Sequence, residues 1–386
     1  MKRILVVIAN FRIGGTNRSL KNLLSIVHKD KVGVDVFAME HFGPFEQELP
    51  SCRIVSSDIL IGALIGRFCD LNILMKVLGF VLKLFRRILD VFGFSLTELL
   101  FRIVATYKFS GIYEEVIAFS EGVPTLFVSY VKTKKRIAWV RCDYERYLEL
   151  NGHPDEEEVY RSFDAILCVS EYTKNVFCKV YPSLAGITFA IYNFIDEKEI
   201  LSMASAEMAD DRFSNENFTI LSVGRIDSVK RFSTIPEIVR TLLDRGCRLK
   251  WYILGENEDI FEFDKLLRNI EVYDVRNFVV PLGSKTNPYP YFLRSNLLVC
   301  LSTSEACPNV VLEAKILGIP VVCSGFGSAS EFVLNGYDGY IAPIEEICDK
   351  IEILIKDEEQ YNRIRNNISD YKYGNDRILS QLLSIL

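Results

Sequence analysis

Histidine is scarce in this chain: its 386 residues hold three, His28, His41 and His153, and none lies in a recognisable motif. Each reads as a surface or satisfied histidine, and zinc sites or proton relays built on imidazole are not expected. The ten cysteines are scattered without a Cys-x-x-Cys pair. Neither a zinc site nor a disulfide framework is expected at this length, and the thiols read as reduced, in a cytoplasmic compartment. No stretch of about 20 residues is free of charge, so no transmembrane helix is expected. The first apolar run stops at Asn10 and Arg12, which suits a buried strand better than a secretory leader. The dinucleotide pattern Gly-x-Gly-x-x-Gly is missing too: the glycine pair after that run reads Ile13-Gly14-Gly15-Thr16-Asn17-Arg18. An NAD-linked oxidoreductase is improbable without it and its downstream acid.

What is present is a globular composition, 49% hydrophobic and 25% charged, long enough for two domains. A mean hydropathy of +0.16 is high for a freely soluble enzyme; the surplus should sit in a core or against a membrane. The net charge of −6 conceals an asymmetry. Residues 1–150 carry 21 Lys+Arg and 15 Asp+Glu, the remainder 24 and 36, so the halves stand at +6 and −12. A basic N-terminal half suits an anionic partner such as a phospholipid surface or a lipid phosphate. Nucleic acid is not expected, because no dense Arg/Lys helix or known reading motif is visible.

Short apolar runs alternate with amphipathic stretches. Strand candidates are 4–9, 34–39, 116–119, 137–140, 165–169 and 188–191 in the first half. In the second they are 218–223, 249–254, 278–281, 297–301 and 320–323. Continuous apolar strands separated by helices indicate parallel sheets covered on both faces. The polar stretch 196–217 between the two sets reads as a linker with room for a helical turn. Two α/β halves joined there imply a cleft between domains, the expected ligand site outside the carboxyl ends of the strands. Residues 60–108 differ, being strongly apolar with isolated cations. At about 100° per residue, Lys76, Lys83 and Arg87 fall near one line of a helix. That stripe reads as interfacial membrane contact, or as an ordinary surface helix with snorkelling lysines.

Three segments carry candidate chemistry. The first, Ser304-Glu305-Ala306-Cys307-Pro308-Asn309-Val310-Val311-Leu312-Glu313-Ala314, follows a strand and opens a helix, with Pro308 suited to the first turn. Amides at a helix start carry partial positive charge, which suits a diphosphate. Glu313 is placed to accept from ribose hydroxyls and Glu305 from sugar hydroxyls; the plainer alternative is a helix start decorated with acids for its dipole. The second, Val223-Gly224-Arg225 with Lys230, offers two cations to a departing phosphate, or is a βα loop with solvated charges. The third, Gly14-Gly15, permits close backbone approach or makes a plain turn.

Together these segments resemble the family 4 retaining glycosyltransferases of GT-B fold. So do Leu317-Gly318-Ile319-Pro320-Val321-Val322, Gly325 to Glu331, Asn335-Gly336-Tyr337-Asp338-Gly339, Val169-Ser170-Glu171 and Tyr192-Asn193-Phe194-Ile195-Asp196. The resemblance covers nearly the whole chain and is weakest at 40–110 and after 345. It implies two Rossmann-like domains with parallel sheets facing an interdomain cleft. Residues 1–196 would form the acceptor-binding domain and 197–370 the nucleotide-sugar donor domain, with a C-terminal helix in 371–386 packing back on the first. It implies that Arg225 and Lys230 hold the donor diphosphate, that Glu313 binds the ribose and that Glu305 binds the transferred sugar. The backbone at Pro308, Asn309, Val310 and Val311 would complete the phosphate site, and Gly15 would approach it from the other domain. The donor would be a UDP-sugar, on family frequency, and the acceptor a saccharide or lipid-linked saccharide in cell-surface polysaccharide biosynthesis. Such enzymes generally need no cofactor or metal, and no Asp-x-Asp motif is present. The implied setting is cytoplasmic, peripheral on the inner face of the cytoplasmic membrane.

Two positions depart from the family pattern. Arg141 stands where a His near the reacting sugar is common; an Arg cannot serve as a neutral base and offers a fixed charge instead. Gly327-Ser328 replaces the usual Gly-Gly. Arg141, Asp143 and Glu121 are acceptor-side candidates, with a structural cap as the alternative for Glu121. Two rivals follow: a non-catalytic partner subunit that keeps the fold and binds nucleotide or membrane, and a nucleotide-sugar 2-epimerase, against which the scarcity of His speaks.

Overall fold

The computed structural model describes residues 2–386 apart from 13, 28–31, 41, 51, 67–71, 153–155, 209 and 215–216. His28, His41 and His153 lie outside the described residues. The chain divides into two compact units, Met1–Ile195 with Asn375–Leu386, and Asp196–Gly374.

The first unit is built on seven parallel strands: β1 (Lys2–Ile8), β2 (Val32–Ala38), β3 (Arg53–Val55), β4 (Glu115–Ala118), β5 (Lys135–Val140), β6 (Ala165–Cys168) and β7 (Thr188–Ala190), in the order β3-β2-β1-β4-β5-β6-β7. Every residue of β4 and β6 is buried, as strands covered by helices on both faces require. The order reverses between β1 and β4, so the loops leaving those two strands diverge and leave a crevice. Helix α1 (Gly15–Ile26) follows β1. The run between β3 and β4 folds into α2 (Ile59–Ile65), α3 (Ile73–Val91) and α4 (Leu96–Val104). The C-terminal helix Asn375–Ile385 belongs to this unit. Its Asn375 side chain donates to the Ile195 carbonyl at 2.6 Å and accepts the Ile195 amide at 3.2 Å, and Lys135 Nζ donates to the Ile385 carbonyl.

The second unit has six parallel strands, β8 (Phe218–Val223), β9 (Leu249–Leu254), β10 (Val279–Gly283), β11 (Leu297–Cys300), β12 (Val321–Ser324) and β13 (Gly339–Ala342), in the order β10-β9-β8-β11-β12-β13. Here the reversal lies between β8 and β11. Both halves therefore have the parallel sheets expected from the alternating apolar runs, in the Rossmann-like topology that the resemblance implies.

The sequence signals miss two edge strands. β3 has three residues and no buried position, so its apolar signal is slight. β13 opens on Gly339, where a Cβ would fall 2.4 Å from the Val321 carbonyl oxygen; the glycine that lets the strand pair also disguises it. The polar stretch after Ile195 also differs from a plain linker. Residues Glu197–Ala204 form a helix whose first turn is capped by Asp196, which accepts the Glu199 amide at 2.9 Å. Asn287 Nδ2 donates to its Met203 carbonyl at 2.8 Å.

Candidate active site

In the second unit, the loops that leave β8 and β11 carry the residues singled out in the sequence. Lys230 follows β8 and Glu305 follows β11, one on each side of the strand-order reversal. The chain brings them together: Lys230 Nζ lies 2.5 Å from Glu305 Oε1, with both side chains mostly buried. Two glycines make this approach feasible. A Cβ on Gly224 (φ +156°) would stand 3.0 Å from Lys230 Cε, and one on Gly255 would stand 1.7 Å from the Gly224 carbonyl oxygen. Only bare backbone lets the exits of β8 and β9 lie together with the lysine stem laid along them. Burial, the largest single influence, pushes the Lys230 ammonium pKa down, but Glu305, Cys300 and Asp227 together outweigh it and hold the group above its ordinary value. The lysine is therefore charged throughout the neutral range.

Glu305 is held from several sides. Ser302 Oγ donates to Oε1 at 2.6 Å, and Ser328 Oγ donates to the Glu305 carbonyl at 2.7 Å. Ser324 Oγ in turn donates to the Ser302 carbonyl at 2.6 Å. The carboxylate is thus set by groups on loops after β11 and β12 before any ligand arrives. Ser328, a departure from the expected Gly-Gly, is fully buried, and its hydroxyl does what a glycine there could not.

Arg225 is placed differently. More than half exposed, its guanidinium sits 2.6 Å from Glu258 and 3.6 Å from Asp227, not in the Lys230–Glu305 pair. The helix Asn309–Ile316 starts one residue later than the proline suggests: Pro308 is its capping residue, and the Pro308 carbonyl accepts the Val311 amide at 3.0 Å. The Val310 amide, at the second helical position, has no intrahelical acceptor. Glu313 is buried on the same helix, with Tyr289 Oη donating to its Oε1 at 3.4 Å.

Sequence reasoning missed Lys315. Its ammonium is buried and lies 2.6 Å from Asp338 Oδ2, donates to the Phe332 carbonyl at 2.9 Å and lies 4.4 Å from the Tyr371 ring centroid. Asp338 also accepts the Leu334 amide at 2.8 Å. This pair fastens the Glu313 helix to the Asn335–Gly339 turn. A lysine two residues past Glu313 in an apolar run was the available signal, but a pairing across 23 residues leaves no local pattern.

In the first unit, Gly14 caps α1 in extended conformation and Gly15 opens the helix; nothing lies within 4 Å of a Cβ built on Gly14. Asn17, also unremarked in the sequence, ties the loop after β1 by donating to the carbonyls of Asn10 and Arg12 at 2.9 and 2.7 Å. Glu121 and Arg141 meet: the Arg141 amide donates to the Glu121 carboxylate at 2.9 Å. The guanidinium donates to Asn193 Oδ1 at 2.5 Å and lies 4.3 Å from the Phe119 ring and 5.1 Å from that of Trp139. Ser19 of α1 donates to the same Asn193 oxygen at 3.2 Å. Glu121, Arg141 and Asn193, from loops after β4, β5 and β7, thus form one network with α1. Asp143 takes a separate place, accepting from Tyr172 Oη at 3.1 Å.

Comparison with known proteins bears on the fold and the class of protein. Residues 205–370 match the family described as glycosyl transferases group 1. The capsular polysaccharide biosynthesis glycosyltransferase CapM of Staphylococcus aureus is 27% identical over 179 residues, 44% of this chain and 45% of that protein. The N-acetylgalactosamine-N,N'-diacetylbacillosaminyl-diphospho-undecaprenol 4-alpha-N-acetylgalactosaminyltransferase of Campylobacter jejuni is 31% identical over 141 residues, 36% of this chain and 35% of that one. The chain spans about half the length of the curated relatives it matches. Among solved structures, Anabaena HepE in complex with UDP and glucose superposes with a TM-score of 0.73 at 16% identity, covering 100% of this chain and 99% of that one. The architecture is the GT-B fold.

Proposed function

We propose that the chain is a retaining glycosyltransferase of family 4 type. It moves a sugar from a UDP-sugar to a saccharide or lipid-linked saccharide acceptor in cell-surface polysaccharide biosynthesis. The observation that carries this reading is the Lys230–Glu305 pair, fixed at the strand-order reversal beside the start of the helix Asn309–Ile316. Ligands of open α/β sheets bind at such a reversal, and a helix start favours a diphosphate. The uridine assignment is supported by the UDP bound to HepE, and the acceptor class by the polysaccharide and lipid-diphosphate names of the relatives.

In this reading Lys230 and Arg225 hold the donor diphosphate, joined by the Pro308–Val311 backbone. Glu313 binds the ribose and Glu305 the hydroxyls of the transferred sugar. The acceptor oxygen bonds to the anomeric carbon on the face from which the diphosphate departs, so configuration is retained. The leaving phosphate takes the acceptor's proton, and the cations stabilise its growing charge without a metal ion. Arg141, Asp143 and Glu121 stand on the acceptor side. The enzyme works as a peripheral protein on the inner face of the cytoplasmic membrane; no helix among the described residues is long and apolar enough to cross one.

The test is calorimetric binding of UDP, GDP and ADP, followed by sugar transfer. Wild type is expected to bind UDP selectively, and Glu313→Ala to weaken that binding at least about tenfold, the loss of one strong charged hydrogen bond. Lys230→Ala should lower transfer by about 100- to 1000-fold, as removal of a preorganised electrostatic donor does. Folded protein that binds none of the three nucleotides would overturn the reading in favour of a non-catalytic partner subunit.

A further inference from the structure

The helix α3 is built inside out. An amphipathic helix of a globular unit normally turns its apolar stripe to the core. In α3 the buried residue is Gly79, while Ile73, Val77, Phe80, Leu84, Ile88 and Val91 are all exposed, from 49% to 82%. At about 100° per residue these six fall within an arc of about 80°. The helix rests on the body by the other side, where a Cβ on Gly62 of α2 would lie 3.5 Å from Met75 Cε. The basic stripe does not oppose the apolar arc but borders it, with its centre about 80° round the helix. Lys83 anchors that border, donating to the Gly66 carbonyl at 3.0 Å. The α3 sequence holds four cations, Lys76, Lys83, Arg86 and Arg87, against one acid, Asp90. On α4, which packs beside α3, Leu99 and Ile103 form a second exposed row that Tyr107 continues at helical spacing.

We propose that the outward face of α3, with the α4 row, is a docking surface for an anionic phospholipid bilayer. The inference rests on the reading of the protein as a peripheral membrane enzyme and names the element and the lipid chemistry. An exposed apolar patch of this extent marks an interaction site, and an apolar arc bordered by cations fits the acyl–headgroup boundary. The arc enters the acyl region while Lys76 and Arg87 meet lipid phosphates. A second copy of the chain fits less well, because a two-fold contact sets the face against itself, and α3 with four cations and one acid offers itself little complementary charge.

The experiment is vesicle flotation of the full chain, with phosphatidylcholine alone and with phosphatidylcholine mixed with phosphatidylglycerol. Wild type is expected on the mixed vesicles, with binding that falls as salt rises. Phe80→Ser with Leu84→Ser should weaken binding at least about tenfold through lost apolar burial. Lys76→Gln and Arg87→Gln should each weaken it roughly fivefold and flatten the salt dependence. UDP binding should be unchanged in every variant. Wild type that floats with neither vesicle overturns both the docking surface and the peripheral reading. Wild type that binds mixed vesicles, with the Phe80/Leu84 variant binding equally, overturns the α3 surface and leaves the peripheral reading standing. If that variant instead turns a wild-type dimer into a monomer by light scattering without altering flotation, the face joins two copies and the proposal falls.

Discussion

Two helices carry the same sequence pattern and use it in opposite ways. The helix Ile235–Asp244 in the second unit buries Ile235, Ile238, Val239 and Leu242 against the sheet. Helix α3 in the first unit spreads an equally regular apolar stripe to the outside. The regions also treat their cations differently. Lys315 is sunk in the interior of the second unit on Asp338, whereas the α3 cations border a surface. Periodicity announces that a helix has an apolar face, but not what will cover it. That is settled by the neighbours the rest of the chain supplies. In the second unit the helix Ile235–Asp244 and the Lys315–Asp338 pair are covered by the rest of that unit. In the first unit the outward face of α3 stays exposed, while Phe101 and Val104 of α4 join the core.

The comparison can be broken most forcefully at the two lysines. Asp338→Ala leaves the Lys315 charge buried without its carboxylate, which typically costs about 3–5 kcal/mol. Lys83→Met removes a cation from the α3 border and its bond to the Gly66 carbonyl, which should cost only about 1 kcal/mol. Denaturant unfolding of the two variants checks this, and equal losses would mean that the α3 border is part of a folded core after all.

A second pair isolates the apolar faces with an identical chemical change. Leu242→Ala, in the buried face, is expected to lower stability by about 2–5 kcal/mol. Leu84→Ala, in the exposed face, should change it by no more than about 0.5 kcal/mol. A large loss at Leu84 in lipid-free protein would show that some part of the chain covers the face in solution.

The same contrast marks how far the sequence could be read. The central strands were legible because burial on both faces leaves unbroken apolar runs, as in Ala165–Cys168 and Leu297–Cys300. The edge strands β3 and β13 were not, since an edge needs neither length nor a full apolar run. In the candidate site, Lys230, Glu305 and Glu313 could be singled out by spacing along the chain. What holds them could not. The Ser302 and Ser328 hydroxyls, the Lys315–Asp338 pair and the fit of Gly255 under the Gly224 carbonyl arise between segments that only the fold brings together. Arg225 shows the reverse limit: the motif grouped it with Lys230, while in the folded unit its guanidinium lies against Glu258 and Asp227.

The smallest effect concerns the two departures from the family pattern, one in each unit, and it separates replacement from compensation. Arg141 changes the kind of group offered, a fixed cation braced by Asn193 and two aromatic rings. Ser328 keeps the turn and adds a hydrogen bond to the Glu305 backbone. Ser328→Ala should therefore cost only about 1 kcal/mol of stability, the usual net value of one such bond. Because the lost bond sets the loop that carries Glu305, transfer should slow severalfold while UDP affinity, governed by other residues, stays near wild type. Thermal unfolding read beside kcat and nucleotide affinity tests this. Unchanged stability and unchanged kcat would mean that Lys230 and Ser302 suffice to fix Glu305, and that the serine at 328 is a neutral substitute for glycine.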